Sequence, residues 1–184
     1  MQDRGSGDGW MKKRWVWMGI MVLASLCLIG GCAGGTQPVA GQALTDDDLT
    51  FSIGNQTTAL DTDATPLVES LGPALSFSET PSVNGGGNDQ MYVYAHLTLC
   101  TYPAENDHRI GEIILTDATY ATRRDIRVGA SQSEVTAVYG SDYTVEDGMY
   151  TYTRTQSGDL LYFEFDANGR VQSIHALSAQ TIAG

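Results

Sequence analysis

Residues 126–140 read Ile-Arg-Val-Gly-Ala-Ser-Gln-Ser-Glu-Val-Thr-Ala-Val-Tyr-Gly, and they contain start and stop signals for a short helix. Ser131 and Glu134 have the spacing of a capping box, in which each side chain accepts a hydrogen bond from the backbone of the other residue. Gly140 suits the left-handed position that often ends a helix. The apolar residues between them recur on one helical face: Val135, Val138 and Tyr139. The stretch therefore predicts a two-turn helix with one apolar face.

Three strand patterns follow this helix, and turn signals separate them. Their predicted bounds are 149–155, 160–165 and 171–177. Gly158-Asp159 and the run Asp166-Ala167-Asn168-Gly169 contain the residue types that tight turns favour. Because strands joined by such short turns pair antiparallel, the sequence predicts a helix followed by an antiparallel meander.

An earlier stretch carries the same order of signals. Thr65 is the expected cap of another helix, Pro66 suits its first position, and Gly72-Pro73 ends it. Residues 91–102 then alternate between two sets of side chains, which predicts one strand with an apolar face. That face would carry Met91, Val93, Ala95, Leu97 and Leu99. A further strand is expected at 109–115.

The two halves align as a tandem repeat if insertions are allowed. Tyr92 and Tyr94 align with Tyr150 and Tyr152 at an offset of 58 positions, and Gly72 aligns with Gly140 at 68. A third set aligns at 61: Ile110 with Val171, and Ile113 with Ile174. Chance similarity between tyrosine-rich antiparallel strands is the alternative. We expect an α+β fold in which short helices pack on antiparallel β-sheet, with candidate repeats at 49–120 and 124–178.

The run from Ile126 to Gly140 resembles the glycine-helix-glycine signature of the BamE (SmpA/OmlA) lipoproteins and of the secreted β-lactamase inhibitor proteins. It departs from the BamE pattern because no proline directly follows Gly140, and because the unit is doubled, as it also is in the inhibitor family. The resemblance implies a small binding or scaffolding fold in the cell envelope, without catalysis. It assigns no functional residue.

The N-terminal region has the order of a lipoprotein signal peptide. Lys12, Lys13 and Arg14 precede an uncharged run at 15–28, which is shorter than the ~20 apolar residues of a membrane-spanning helix. Ile29-Gly30-Gly31-Cys32 follows, and this part resembles the cleavage box of bacterial lipoproteins. We expect removal of residues 1–31 and acylation of Cys32 by palmitate-type chains. An ordinary secretory signal with a chance cysteine, or a core helix, is the alternative.

Cleavage before Cys32 would leave 153 of the 184 residues, with a net charge of −14 and no lysine. Such a chain repels nucleic acid and anionic headgroups, so the lipid would have to provide membrane attachment. Residues 32–48 are rich in glycine and end in three aspartates, which predicts a flexible tether before a folded domain at 49–184. We interpret Asp46, Asp47 and Asp48 as solvated charge rather than as a calcium site.

Motifs for catalysis, cofactors or metals are absent from the sequence. Cys100 would be left without a disulfide partner, and we interpret it as a small buried hydrophobe. His96, His108 and His175 lack metal-ligand spacing, so neither a metal site nor a cofactor is expected. The cluster Arg123-Arg124 with Arg127 is expected to be a solvated loop, with an anion or partner contact as the alternative.

Two function classes remain open. The first is a lipid-anchored binding module without catalytic activity, on the outer side of the cell membrane, that binds an unidentified envelope protein or ligand and no nucleic acid. Its expected recognition residues are Tyr92, Tyr94, Tyr150 and Tyr152, because tyrosine combines a large ring with a polar tip. These rings could instead lie beneath another layer of the fold. The second class is an envelope hydrolase whose site is assembled from residues distant in sequence.

Overall fold

The structure, a computed structural model, describes residues 43–83 and 86–182. Its helices are α1 (Thr65–Leu71), α2 (Gln132–Tyr139) and α3 (Ala179–Ile182), and a 3₁₀ helix covers Asp46–Leu49. Its strands are β1 (Thr50–Ile53), β2 (Gln56–Ala59), β3 (Ser76–Pro81), β4 (Asn88–Val93), β5 (Leu97–Pro103), β6 (His108–Leu115), β7 (Thr144–Glu146), β8 (Met149–Thr153), β9 (Leu160–Phe165) and β10 (Val171–Leu177). The expected α+β class is confirmed. The predicted signal peptide, Cys32 and tether residues 32–42 lie outside the described residues.

The main sheet has eight antiparallel strands in the order β3-β4-β5-β6-β10-β9-β8-β7. It consists of two four-stranded meanders, β3–β6 and β7–β10, which meet where β6 pairs with β10. One helix precedes each meander in the chain, so the predicted order of helix and then meander occurs twice. A separate hairpin, β1–β2, comes before α1.

The strand registers place the aligned residues of the two halves at equivalent positions. Tyr92 lies opposite Leu99 on the neighbouring strand, and Leu99 lies opposite Ile113. The second meander has the same pattern, because Tyr150 lies opposite Phe163 and Phe163 lies opposite Ile174. These three positions therefore correspond between the two meanders, with Tyr92 and Tyr150 at the offset of 58 and Ile113 and Ile174 at the offset of 61.

The single strand predicted at 91–102 is wrong. The chain reverses at Ala95-His96, where the Tyr94 N–H donates to the Leu97 carbonyl, and β4 and β5 form a hairpin. Residues opposite each other in a hairpin share a face, so Tyr92 lies on the side of the buried Leu99. Met91 and Val93 lie on the other side of the sheet. Four further strands were not predicted, and all are short or largely exposed: β1, β2, β3 and β7.

The core lies between one face of the sheet and the helices. Val135 and Tyr139 of α2 are buried, and the Tyr139 ring packs 5.4 Å from the rings of Tyr152 and Phe163. Helix α1 contributes the buried Leu67. Side chains on the opposite face of the central strands, such as those of Ile114, Tyr162 and His175, are only partly buried. We call these the helix side and the open side of the sheet.

The folded part begins before Leu49, which differs from the predicted tether boundary. Leu44 belongs to the core, and Asp48 is only 3% exposed. Arg124 donates from Nε to Asp48 Oδ1 and from Nη2 to Asp48 Oδ2, both at 2.7 Å. Asp48 and Arg124 were both expected to be solvated. Instead they form a buried ion pair that fastens the 3₁₀ helix to the loop before α2.

Candidate functional site

Exposed apolar side chains concentrate on the β3–β4 hairpin. Among the described residues, the exposed large hydrophobic side chains are Leu75 (76%), Phe77 (51%), Val83 (76%), Met91 (43%) and Val145 (58%). The first four lie on this hairpin or directly before it. Phe77 packs against Tyr92 with ring centroids 4.9 Å apart. We call Leu75, Phe77, Tyr92 and Tyr94, all at this edge of the sheet, the hairpin patch.

A groove of about 300 Å³ lies beside the hairpin patch. Its lining includes Leu71, Pro73, Leu75, Tyr94, His96 and Tyr120. The Tyr94 hydroxyl is shielded from solvent and has no hydrogen-bond partner in the described part of the chain. Burial raises the pKa of Tyr94, so the hydroxyl stays protonated. At the rim, His96 Nδ1 lies 2.5 Å from Asp117 Oδ2. We call this cavity the Tyr94 groove.

The four predicted recognition tyrosines share the helix side of the sheet but differ in accessibility. Tyr92 and Tyr94 are partly exposed, and the Tyr92 hydroxyl donates to Gln90. Tyr152 is 4% exposed, and its hydroxyl donates to the Gly140 carbonyl at 2.9 Å. Tyr150 stacks on Tyr143 with centroids 4.1 Å apart. Tyr152 is therefore buried beneath another layer of the fold, which was the alternative to a recognition role. Tyr92 and Tyr94, in contrast, retain exposed surface that a partner could contact.

A polar network occupies the centre of the open side, and no sequence spacing predicted it. His175 Nδ1 lies 2.9 Å from Glu112 Oε1, and His175 Nε2 lies 2.9 Å from Ser173 Oγ. Ser173 also donates to Glu164 at 2.7 Å. Tyr162 stacks on the His175 ring and donates to Glu112. Three different strands contribute to this network, which is why a linear motif search did not find it.

The contacts of Ser173, His175 and Glu112 have the connectivity of a serine-histidine-acid relay, but their surroundings do not favour acyl transfer. The Ser173 hydroxyl has one hydrogen, which it donates to Glu164, so it cannot also donate to His175. Ser173 is 8% exposed and lies in β10, which pairs with strands on both sides. An oxyanion would need free N–H groups beside the serine. In a central strand, those groups belong to the sheet hydrogen bonds.

The remaining candidates from the sequence are Cys100 and the arginines at 123 and 127, and their surroundings indicate structural roles. Burial, with Glu112 and Asp89 nearby, raises the pKa of the Cys100 thiol to about 11, which disfavours the nucleophilic thiolate. Arg123 and Arg127 are exposed, as expected for a solvated loop, and line a polar cavity of about 200 Å³. Arg127 Nη1 donates to two backbone carbonyls, those of Ala118 and Thr119.

Over residues 43–83 and 86–182, no group of three or more His, Cys, Asp or Glu side chains is placed to hold a metal ion. Within the same ranges, no helix is both long and apolar enough to cross a membrane. Comparisons of the chain with protein-family models, curated proteins and solved structures gave no match.

Proposed function

We propose that this chain is a lipid-anchored binding module of the cell envelope, without catalytic activity, which holds an envelope partner through the hairpin patch. The observation that carries the proposal is the clustering of exposed apolar side chains on one hairpin. Single exposed hydrophobic residues are common on protein surfaces, whereas a contiguous group marks an interaction site. Leu75 and Phe77, two of the five exposed large hydrophobic residues in the described chain, belong to the hairpin patch, where Phe77 contacts the partly exposed Tyr92.

The chemistry of the hairpin patch suits recognition of another protein. Phe77 and Tyr92 present large rings with few rotatable bonds, so ordering them in an interface costs little conformational entropy. Both rings already contact each other, which reduces that cost further. The patch also lies at the edge of the sheet, where a partner can approach without displacing a helix.

The lipid anchor is supported by the sequence alone. A basic segment, an uncharged run and Ile29-Gly30-Gly31-Cys32 occur in the order of a lipoprotein signal peptide. Acylation of Cys32 would place the folded domain on the outer side of the cell membrane. The acidic, lysine-free mature sequence would keep the protein surface from adsorbing to anionic headgroups.

The envelope hydrolase is less well supported by the open-side network. Ser173 is buried, its hydroxyl hydrogen is donated to Glu164, and the strand that holds it is paired on both edges. The same contacts describe a polar cluster that stabilises the middle of the sheet. We therefore assign the network a structural role within the proposed binding module.

Site-specific photo-crosslinking in the native envelope tests the proposal. A photoreactive phenylalanine derivative would replace Phe77 in one variant and Val145 in a control variant. Val145 is the matched control because it is similarly exposed and lies opposite Tyr150 as Phe77 lies opposite Tyr92. We expect a discrete adduct from position 77 that an excess of the parent chain removes and that an excess of Phe77→Ser chain leaves unchanged. Equal adducts from both positions, or none from position 77, would contradict the proposal.

A further inference from the structure

The second half of the molecule fills a space that the first half leaves open. Positions 71–77 correspond to 139–145 at a constant offset of 68, with both helices ending in a glycine within this stretch. The correspondence pairs Leu71 with Tyr139, Leu75 with Tyr143 and Phe77 with Val145. Tyr94 and Tyr152 likewise occupy equivalent places on β4 and β8 or directly after them. Two leucines thus stand where the second half has two tyrosines.

These substitutions change the surroundings of the shared tyrosine. Tyr152 contacts the rings of Tyr139 at 5.4 Å and Tyr143 at 5.6 Å, and its hydroxyl donates to the Gly140 carbonyl. Tyr94 contacts no aromatic ring in the described part of the chain, and its shielded hydroxyl has no partner there. A buried hydroxyl without a hydrogen bond is unfavourable, so Tyr94 is less well accommodated in the first half than Tyr152 is in the second half. The Tyr94 groove is the empty counterpart of a filled aromatic cluster.

The charge of the first half indicates what kind of chain would fill the groove. From Leu49 to Tyr120 the sequence has nine acidic residues, no lysine and one arginine, Arg109. Glu79 and Asp89 lie on the β3–β4 hairpin, and Asp117 lies at the groove rim beside His96. Charge complementarity therefore favours a basic partner segment and disfavours an anionic lipid surface.

The edge of the sheet beside the groove favours an extended segment. Strand β3 is a terminal strand, and all six of its residues are exposed. An edge strand directs unpaired N–H and C=O groups outward, and an added strand can pair with them. Leu75, which lines the groove, lies directly before this strand, so a segment paired with β3 would bring its side chains to the groove.

We propose that the Tyr94 groove receives an aromatic side chain from an extended, lysine- or arginine-rich segment of a partner protein, which pairs with the free edge of β3. The ring packs against Tyr94 and Leu75, as Tyr143 packs against Tyr152 in the second half. The flanking cations face the acidic hairpin. This inference rests on the proposed binding function and specifies the chemistry of the partner.

The test uses the full acylated chain in uncharged detergent micelles and a fluorescent peptide, acetyl-Lys-Thr-Tyr-Thr-Lys-Val-amide, followed by anisotropy. Two control peptides replace its tyrosine with alanine or both lysines with glutamate. We expect each control peptide to bind at least about tenfold more weakly, since removing one central anchor commonly costs that much. Equal binding of the tyrosine and alanine peptides, or no binding of the tyrosine peptide, would overturn the inference.

Leu75→Tyr provides a second measurement, because it should fill the groove with the residue found at the equivalent position of the second half. Leu75 is 76% exposed, so this change spares the core. We expect Leu75→Tyr to weaken peptide binding about tenfold or more. Val83→Tyr, at an equally exposed position on the same hairpin, should bind as the parent does. Unchanged binding by Leu75→Tyr would overturn the inference, whereas a position-77 crosslink in the envelope would still support the proposed function.

Discussion

Gly72 and Gly140 end α1 and α2 in nearly the same backbone conformation. Their φ and ψ angles are 71° and −156° for Gly72, and 84° and −169° for Gly140. The sequence predicted positive φ at Gly140 from the end of the apolar pattern. It did not predict the extended ψ, which moves the residue out of the left-handed helical region into one occupied almost only by glycine.

Gly140→Ala should therefore destabilise the protein by about 1–3 kcal/mol, because a Cβ is poorly tolerated in this backbone region. The measurement is the free energy of unfolding from urea titration, at constant m-value. Ser141→Ala, at the exposed neighbouring position, is the control and should change stability by less than about 0.5 kcal/mol. A Gly140→Ala protein as stable as the parent would show that the helix ends without this conformation.

At the scale of elements, local signals predicted the second helix well. The capping box is present, since Ser131 Oγ accepts from the Glu134 N–H and Glu134 accepts from the Ser131 N–H. For α1, the expected cap is displaced, because Asp63 rather than Thr65 accepts from the first-turn N–H. These interactions span two or three residues, so a sequence pattern can reveal them.

The β4–β5 turn shows where such patterns fail. Ala95 and His96 are not typical turn residues, so nothing in the sequence interrupted the apparent alternation. A reversal at these two residues leaves Met91 and Val93 on the open side, although Leu97 and Leu99 face the core. The regular alternation came from two separate strands. Its apolar residues lie on the open side in the first strand and face the core in the second. As a result, the sequence identified Tyr92 and Tyr94 as candidates but assigned them to the wrong side of the sheet.

The Asp48–Arg124 pair joins two elements that are 76 positions apart, so no local sequence pattern indicates it. Burial alone would raise the pKa of Asp48, but hydrogen bonds from Arg124 and Thr45 outweigh that effect and lower it below 3.8. Because the pKa of Asp48 is lower in the folded protein than in the unfolded chain, the stabilisation from its negative charge is complete at pH values above the unfolded-chain pKa. It is lost as the pH falls through the folded-state pKa.

Asp48→Asn should cost about 3–5 kcal/mol at neutral pH, because the buried Arg124 then loses the carboxylate of its ion pair. The difference from the parent should narrow as the pH falls from about 6 towards 2, where the parent's Asp48 also becomes neutral. Unfolding free energies across this pH range provide the measurement. Asp47→Asn, at an exposed acidic neighbour, is the control and should track the parent throughout. A constant difference at every pH would contradict the assigned role of the pair.

At the scale of the whole molecule, the fold class and the doubled order of helix and meander could be predicted from the sequence. Helix caps, turn residues and the three alignment offsets contain that information. The Tyr94 groove could not be predicted, because it depends on which side chains fill equivalent spaces in the two halves. In the sequence, Leu75 and Tyr143 look like ordinary apolar positions. Only the structure shows that Leu75 is exposed whereas Tyr143 stacks on another ring.

The proposed attachment of the whole molecule to the membrane is testable at Cys32. Growth with an alkynyl fatty acid should label the parent chain, and Cys32→Ala should lose the label, because the thiol is the expected acyl acceptor. Cys100→Ala is the matched control and should keep the label. A Cys32→Ala chain labelled as strongly as the parent would contradict the anchor.

The pairing of β6 with β10 has a consequence for the order in which the chain folds. As the chain is synthesised from the N-terminus, β3 to β6 can pair with one another as soon as they emerge, because their partners are close in sequence. The edge of β6 that does not pair with β5 has to wait for β10, the last strand in the described part of the chain. A chain truncated before Val171 would expose this edge permanently and would be prone to edge-to-edge aggregation. Folding of the main sheet thus ends with the pairing of β10 and β6, which closes the sheet from its middle.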